Sequence, residues 1–344
     1  MAERIQVGVI GCGYWGPNLV RNFAKVAGFD MVAVADLRQE RLNLMKRQYP
    51  HLKTTKHYWE ILDNPDIDAV AIVTPISTHY EIAKEALLAG KHILIEKPMT
   101  QTVTEALELI ELAEQKGLTL MVDHTFIYTG AVRKIKEIIE SGELGEILYF
   151  DSIRINLGLF QHDVDVLWDL GPHDFSIMDF LLDKEPLSIS AIGVAPIAYN
   201  DLVSIAYITV NFGDDTIAHF NLSWLSPVKI RRTLIGGSRK MLVYDHLKHD
   251  EQVKVYDKGV EIRSKEAIYE TLIQYRTGDM YAPKVDQTEA LEVECKHFWD
   301  CIVNRKKPIT DGWAGLRVVK MLQAAQKSMA NKGEVVPYEV PMHL

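Results

Sequence analysis

Over residues 1–123 the chain alternates between two hydrophobic periods. Short runs that are apolar on both faces, IQVGVI, DMVAVAD, IDAVAIVTP, HILIEKP and LTLMVDHTF, read as buried strands. Between them, YWGPNLVRNFAKV, QERLNLMKRQY, THYEIAKEALLAG and TEALELIELAEQKG place apolar residues at helical spacing, the last two stopping on Gly90 and Gly117. Strands alternating with helices predict an α/β domain with a doubly wound parallel sheet.

The pattern then changes. After the helix AVRKIKEIIESG come EILYFDSIRINL, LSISAIGVAPI, LVSIAYITVNF, TIAHFNLSW, KIRRTLIGG and RKMLVYD. Several alternate apolar with polar residues, as one-sided antiparallel strands do. Gly213, Asp214 and Asp215 read as a hairpin turn. PHDFSIMDFLL is predicted as a helix between the first two of these runs, and QTEALEVECKHFWDCIV and WAGLRVVKMLQAAQKSM as the closing helices. This predicts an α+β second domain over residues 124–344, with a large, open, mostly antiparallel sheet. The closing helices are able to pack back on the first domain. A chain of 344 residues is too long for one ordinary core, so two domains are expected on length as well.

Composition narrows the function classes. Apolar residues make up 47% and charged residues 25%, as in an ordinary soluble protein. A formal net charge of −9 argues against nucleic acid as a partner. Cys12, Cys295 and Cys301 form neither a disulfide framework nor a zinc-ligand spacing. MAERIQV lacks the apolar core of a signal peptide, and no apolar run is long enough to cross a bilayer. The expectation is a cytoplasmic protein without a membrane partner.

The glycines at 11, 13 and 16 raise the first chemical question, because their spacing alone also suits a structural turn. Their context is a strand followed by a helix, where such glycines allow a tight turn, approach of a pyrophosphate and close helix–sheet packing. Asp36 ends the next strand about 20 residues past Gly16, where a carboxylate accepts ribose hydroxyls and repels a 2′-phosphate. This favours NAD over NADP, although the nearby Arg38 can shelter a 2′-phosphate or stack on adenine. Thr74 and Pro75 end the third strand, and Glu96 and Lys97 end the fourth, at the strand edge where doubly wound sheets bind ligands. All four features together predict a Rossmann dinucleotide site.

At these residues the chain resembles the Gfo/Idh/MocA oxidoreductase family. GVIGCGYWG, VAIVTPISTHYEIAKEALLAGKHILIEKPMT, SGELGEI, WDLGPHDFSIMDFLL and ECKHFWDCIVNRKKPITDGWAGLRVV carry the resemblance over nearly the whole chain. It implies that Thr74, Pro75, His79, Glu96 and Lys97 line the nicotinamide half of the site. Tyr14 and Trp15 join the cofactor set, Trp15 with a core or staple role equally open. The later segments resemble members that oxidise C3 of UDP-N-acetylglucosamine or its uronic acid. The family also implies homodimers or homotetramers paired through the second domain's sheet.

Oxidising a secondary alcohol needs a base, a stabiliser for the developing oxyanion and a hydride acceptor. DLGPH supplies Asp169 and His173, which match the family's aspartate and histidine at this spacing. Pro172 suits the first turn of a helix, which puts Asp169 just upstream and His173 within that turn. His173 is expected to be the general base, because an imidazole's ordinary pKa of ~6.5 suits proton transfer at neutral pH. Lys97 is expected to steady the alkoxide, with the two roles exchangeable. Asp169 then orients His173 or binds a sugar hydroxyl. The family's further aspartate is replaced by Ser176, unlike inositol dehydrogenases. By loose alignment Tyr128, Arg154 and Asn156 are expected to contact the sugar. Arg154, Lys229, Arg231 and Arg232 are available for a substrate diphosphate, although a solvent-facing role is the commoner one for strand residues of this kind. Tyr149, Phe220 and Trp224 fit sheet core or a dimer face better than a sugar platform. His162 and Asp163 resemble a metal pair, but nothing completes a ligand set and no metal is expected. The alternatives are an NADPH-dependent keto-nucleotide-sugar reductase, a free-sugar or cyclitol dehydrogenase, and a dinucleotide-binding sensor without turnover.

Overall fold

A computed structural model of the chain describes residues 4–158, 164–196, 202–213, 215–262 and 273–338. They divide into a first unit, Met1–Tyr128 with Thr288–Lys320, and a second, Thr129–Gln287 with Met321–Leu344. The sequence division at 123/124 thus compares with a structural one at 128/129, the first unit also taking in residues 288–320.

The first unit runs β1 (Ile5–Ile10), α1 (Gly16–Lys25), β2 (Phe29–Ala35), α2 (Gln39–Gln48), β3 (Lys53–Thr55), α3 (Trp59–Leu62), β4 (Ala69–Ile72), α4 (His79–Leu88), β5 (His92–Glu96), α5 (Val103–Lys116) and β6 (Leu120–Asp123). The sheet order is β3-β2-β1-β4-β5-β6 and every pairing is parallel. The order reverses at β1, which opens a crevice at the carboxyl ends of β1 and β4. Ile10, Val70, Ile72, Ile93, Ile95, Leu109 and Val122 belong to one buried cluster. Strand β3 was not expected, because Lys-Thr-Thr carries no hydrophobic period and joins the sheet only by pairing with β2. Helix α5 is bounded as its sequence suggests. Thr102 and Glu105 complete a capping box, and Gly117 takes the left-handed conformation at φ 63°.

The second unit contains α6 (Gly130–Glu140), β7 (Ile147–Leu157), α7 (Val166–Leu182), β8 (Ser188–Val194), β9 (Ile205–Asn211), β10 (Ile217–Ser223), β11 (Leu225–Gly237), β12 (Met241–Asp245), β13 (Val253–Ile262) and β14 (Ile273–Tyr281). The chain closes with α8 (Ala290–Asn304), α9 (Gly312–Ala330) and β15 (Val336–Pro337). The sheet order is β14-β13-β12-β11-β7-β10-β9-β8-β15. Only the central β7–β10 pair is parallel, and the rest are antiparallel. Strands β13 and β14 lie beyond the last run read as a strand from sequence. Helix α7 covers one face of the sheet, with Phe175 edge-on to Phe220 at 4.9 Å. Phe220 and Trp224 are buried sheet residues. Helix α8 belongs to the first unit, where Phe298 stacks on Phe29 at 6.0 Å.

Helix α7 starts earlier than its proline suggests. Asp165 caps it by accepting the Trp168 N–H at 3.0 Å, and Pro172 lies inside the helix. The apolar run before Asp169 supplies the earlier turn, and proline at 172 removes one donor without preventing helical φ. Asp169 and His173 therefore lie one turn apart on one helix face.

The neighbouring Asp174 is buried and takes both arms of Arg154, Nε at 2.9 Å and Nη2 at 2.8 Å. Removing one partner of such a pair leaves a buried charge without compensation. Asp174→Ala is expected to cost roughly 3–5 kcal/mol, against about 1 kcal/mol for Thr102→Ala at the cap of α5. Urea midpoints read separately for the two units through hydrogen exchange check that order, and equal losses would contradict it.

Candidate functional site

In the first unit the β1–α1 turn is built by backbone crowding. Gly11 sits at φ 101°, and a Cβ there would lie 2.4 Å from the Val73 carbonyl oxygen. A Cβ on Gly16 would lie 2.1 Å from the Gly11 oxygen. Gly13 differs, since its Cβ would meet nothing nearer than an Arg38 nitrogen at 3.7 Å. No internal neighbour demands glycine at 13, so the space above it suits an approaching pyrophosphate. The first turn of α1 carries no acidic side chain, which leaves its positive end for a phosphate. Tyr14 stands 91% exposed on the loop. The residues present therefore fit a dinucleotide.

Asp36 follows β2 and organises the adenosine side. Its Oδ2 accepts the Cys12 N–H at 2.8 Å, and its Oδ1 accepts the Arg38 N–H at 2.9 Å and Nε–H at 3.1 Å. Burial pushes this carboxyl upward, but hydrogen bonds from Arg38 and Cys12 outweigh it and hold its pKa below the usual range. The Cys12 thiol is pushed up to about 12, by burial first and Asp36 second.

After β4, the Thr74 hydroxyl accepts that of Thr78 at 2.8 Å, and Pro75 is exposed. His79 is buried, with Nε2 2.8 Å from the Thr74 oxygen and Nδ1 3.0 Å from the Pro98 oxygen. Burial holds its pKa below the ordinary histidine value, and the Lys97 charge adds to this. His79 thus braces the two strand-end segments, where the resemblance implied a lining residue. The Glu96 carboxylate accepts the Lys97 N–H, and both side chains are half-buried at the end of β5.

Asp123, Glu294 and His124 were not singled out from sequence. Trp15 Nε1 donates to Asp123 Oδ2 at 2.9 Å, so its ring is tied to the end of β6. Glu294 of α8 is fully buried near Asp123 and Thr125, outside good hydrogen-bond geometry. Burial, and next the Asp123 charge, raise its pKa well above the usual value, which makes it a neutral acid. His124 is buried, and neither ring nitrogen has a hydrogen-bond partner among the described residues. Burial, then Lys97 and Arg317, push its pKa down to about 3. The signal available in sequence was the second acidic strand end, Asp123 after LMV, in register with Glu96. Tyr128 is buried, with its hydroxyl 3.0 Å from Thr310 Oγ1. It is a packing residue of this unit in place of the expected sugar contact, because its polar atom already has a buried partner.

In the second unit, Asp169 Oδ2 accepts the Trp224 indole N–H at 3.1 Å, and His173 is half-buried one turn on. Arg154, expected on the sugar, is instead buried against Asp174, because a charge on the inner sheet face needs a countercharge. Asn156 is half-buried two residues further along β7. Arg232 pairs with Asp245 at 2.9 Å. His162 and Asp163 lie outside the described residues. Among the described residues no group of three or more His, Cys, Asp or Glu is placed to hold a metal ion, and no helix is long and apolar enough to cross a membrane.

Comparison with known proteins agrees with this geometry. The family model described as "Oxidoreductase family, NAD-binding Rossmann fold" matches residues 5–124, and the model "GFO/IDH/MocA C-terminal domain" matches residues 132–243. UDP-N-acetylglucosamine 3-dehydrogenase of Acidithiobacillus ferrooxidans is 28% identical over 324 residues, spanning 92% of this chain and 94% of that protein. Its solved structure gives a TM-score of 0.79 at 26% identity, covering 95% and 99% of the two chains. scyllo-Inositol 2-dehydrogenase (NAD(+)) of Bacillus subtilis is 27% identical over 322 residues, 90% of this chain and 89% of that one. The structure of GenD2 from gentamicin A biosynthesis, in complex with NAD, shares the fold at a TM-score of 0.83 and 20% identity, over 99% and 98% of the chains.

Two outcomes follow for the first unit. Asp36→Ser is expected to weaken NAD by about 10–100-fold, the loss of charge-assisted hydrogen bonds, and to narrow the preference over NADP. Equal NAD and NADP dissociation constants in wild type and variant would remove Asp36 as the discriminator. Glu294 is protonated more readily folded than unfolded. Its contribution is complete below about pH 4.3 and is lost as pH rises toward the raised folded value. Glu294→Gln is therefore expected to flatten part of the decline in urea midpoint between pH 5 and 9.

Proposed function

Because the chain belongs to the Gfo/Idh/MocA family of NAD-binding oxidoreductases, we propose that it oxidises a secondary alcohol of a sugar, at C3 of a UDP-linked N-acetylhexosamine or its uronate, to the 3-keto sugar. The observation that carries this reading is the pair Asp169 and His173, one turn apart on α7, with Asp169 held by the Trp224 indole. The likeness to UDP-N-acetylglucosamine 3-dehydrogenase along nearly the whole chain supports the choice of substrate class.

Bound NAD supplies the hydride acceptor. Gly13 and the amino end of α1 would hold its pyrophosphate, and Asp36 would take the adenosine ribose hydroxyls. His79 keeps Thr74 and the Lys97–Pro98 segment in place. His173 removes the proton of the reacting hydroxyl as the carbon loses hydride. Lys97 steadies the negative charge that develops on the oxygen, and Asp169 orients His173 or binds a neighbouring hydroxyl. The proton leaves through the imidazole, so the ketone forms without a covalent intermediate.

Exposed Leu148, Ile192, Tyr207 and Ile217 on neighbouring strands support pairing of subunits through this sheet. A free cyclitol as substrate is the second reading, favoured by the comparable likeness to scyllo-inositol 2-dehydrogenase.

With NAD and UDP-N-acetylglucosamine or its uronic acid, NADH is expected to form. His173→Ala is expected to lower turnover by about 10²–10⁴-fold while NAD affinity stays within twofold of wild type, roughly the span of one general base. UDP alone is expected to raise the unfolding temperature. Oxidation of inositols without any stabilisation by UDP would favour the cyclitol reading. Wild-type turnover in both His173→Ala and Lys97→Met would remove these residues from the chemistry.

A further inference from the structure

We propose that Arg231, with Lys229 and His246, forms a receptor for an oxyanion of the substrate on the inner face of the second unit's sheet. The oxyanion is the carboxylate of an acidic sugar or the diphosphate of its nucleotide carrier. The proposal rests on the sugar-nucleotide reading above and adds where the substrate's negative charge is held.

The argument starts from register. Arg231 on β11 lies directly opposite Arg154 on β7. Two like charges facing each other across a strand pair repel. Two carboxylates, Asp174 and Asp169, act on Arg231 against this repulsion, but Arg154 takes both oxygens of Asp174, at 2.9 and 2.8 Å. The Asp169 Oδ2 accepts the Trp224 indole N–H. Asp245, next to His246 in sequence, bonds Arg232 instead. The Nε of Arg231 is buried and has no hydrogen-bond partner among the described residues.

One further cation, Lys229, and a neutral imidazole, His246, lie at the same place. Lys229 follows two residues back along β11. The His246 N–H donates to the Arg231 carbonyl at 3.0 Å, and the His246 Nδ1 lies 2.8 Å from the Tyr244 hydroxyl. Burial, then Arg154, Arg231 and Lys229, push the His246 pKa down to about 4, so the imidazole is neutral and its ring stays a hydrogen-bonding group. The Arg231 guanidinium is itself pulled below its ordinary value, by burial first and Arg154 second, yet remains a cation. A desolvated cation held beside another without a carboxylate of its own is unfavourable for folding alone. An incoming oxyanion would remove that penalty, and the planar guanidinium fork matches a carboxylate or a phosphate. The location is apt. Asp174, the partner of Arg154, directly follows His173, so the unbalanced charge lies on the sheet face that α7 covers.

The test is calorimetric binding of UDP, UDP-N-acetylglucosamine and its uronic acid to full-length wild type, Arg231→Met and Arg231→Lys, each with NAD bound. Arg231→Met is expected to lose roughly 10–100-fold in affinity for an anionic ligand, with lysine restoring only part of it. A loss confined to the uronate assigns the carboxylate. An equal loss for all three ligands assigns the diphosphate. Wild-type affinity of Arg231→Met for all three overturns the proposal. If wild type binds NAD but none of the three, the sugar-nucleotide reading fails by itself. Thermal stabilisation by glucuronate and by inorganic phosphate then decides the receptor, and equal stabilisation of wild type and Arg231→Met overturns it. Without ligand, Arg231→Met is expected to unfold at the same or a higher temperature, because it removes a repulsion. A lower midpoint with unchanged ligand affinity marks a purely structural arginine and also overturns the proposal.

Discussion

The first unit is organised by the approach of one carbonyl oxygen to one α-carbon. The Gly11 oxygen lies where a side chain at residue 16 would have to begin, 2.1 Å from the Cβ position. That contact brings the start of α1 against the end of β1. It lets the Cys12 N–H reach Asp36, aims the first free N–H groups of α1 at the loop, and carries Trp15 to Asp123. A Cβ at either residue would displace backbone rather than a flexible side chain. The loop, the placement of Asp36 and the indole anchor therefore follow from the same close packing.

Around that frame, charge is controlled by burial as much as by pairing. Burial first, and the Lys97 charge with it, lower the pKa of His79 and push that of His124 down to about 3 at the end of β5. Near Asp123, burial first and the Asp123 charge second raise the Glu294 pKa well above the usual value, where Trp15 donates to Asp123. The second unit follows a different rule. In its buried Arg154–Asp174 pair both arms of the arginine are bonded, while the Arg231 Nε has no hydrogen-bond partner among the described residues. Balanced pairs hold elements together. An unbalanced cation on a buried face is what a site for an anionic ligand requires before the ligand arrives.

The likeness to sugar and cyclitol dehydrogenases along most of the chain gives these local features a common setting. The helix carrying Asp169 and His173 tolerates an internal proline because Asp165 begins it earlier. The two side chains then have the one-turn spacing of a regular helix instead of the looser geometry of a loop and a first turn. Trp224, at the bend between β10 and β11, donates its indole N–H to the aspartate.

Much of this was written in the order of residues. The alternation of apolar strands with amphipathic helices specifies a parallel sheet, because each strand is buried on both faces. Glycines at 11, 13 and 16 and an aspartate at 36 specify a dinucleotide turn, because the chemistry is local to one strand–turn–helix unit. The one-turn spacing of Asp169 and His173 was legible for the same reason, four residues apart on one segment. What could not be read locally was set by partners distant in the chain. Strand β3 exists only through its pairing with β2. Arg154 became a packing residue through Asp174, Tyr128 through Thr310, and the Glu294 pKa rose through burial first and Asp123 second. The opposition of Arg231 to Arg154 depends on strand register. Sequence determines periodicity and short-range spacing; burial and countercharge are properties of neighbours, and only the tertiary structure decides who those neighbours are.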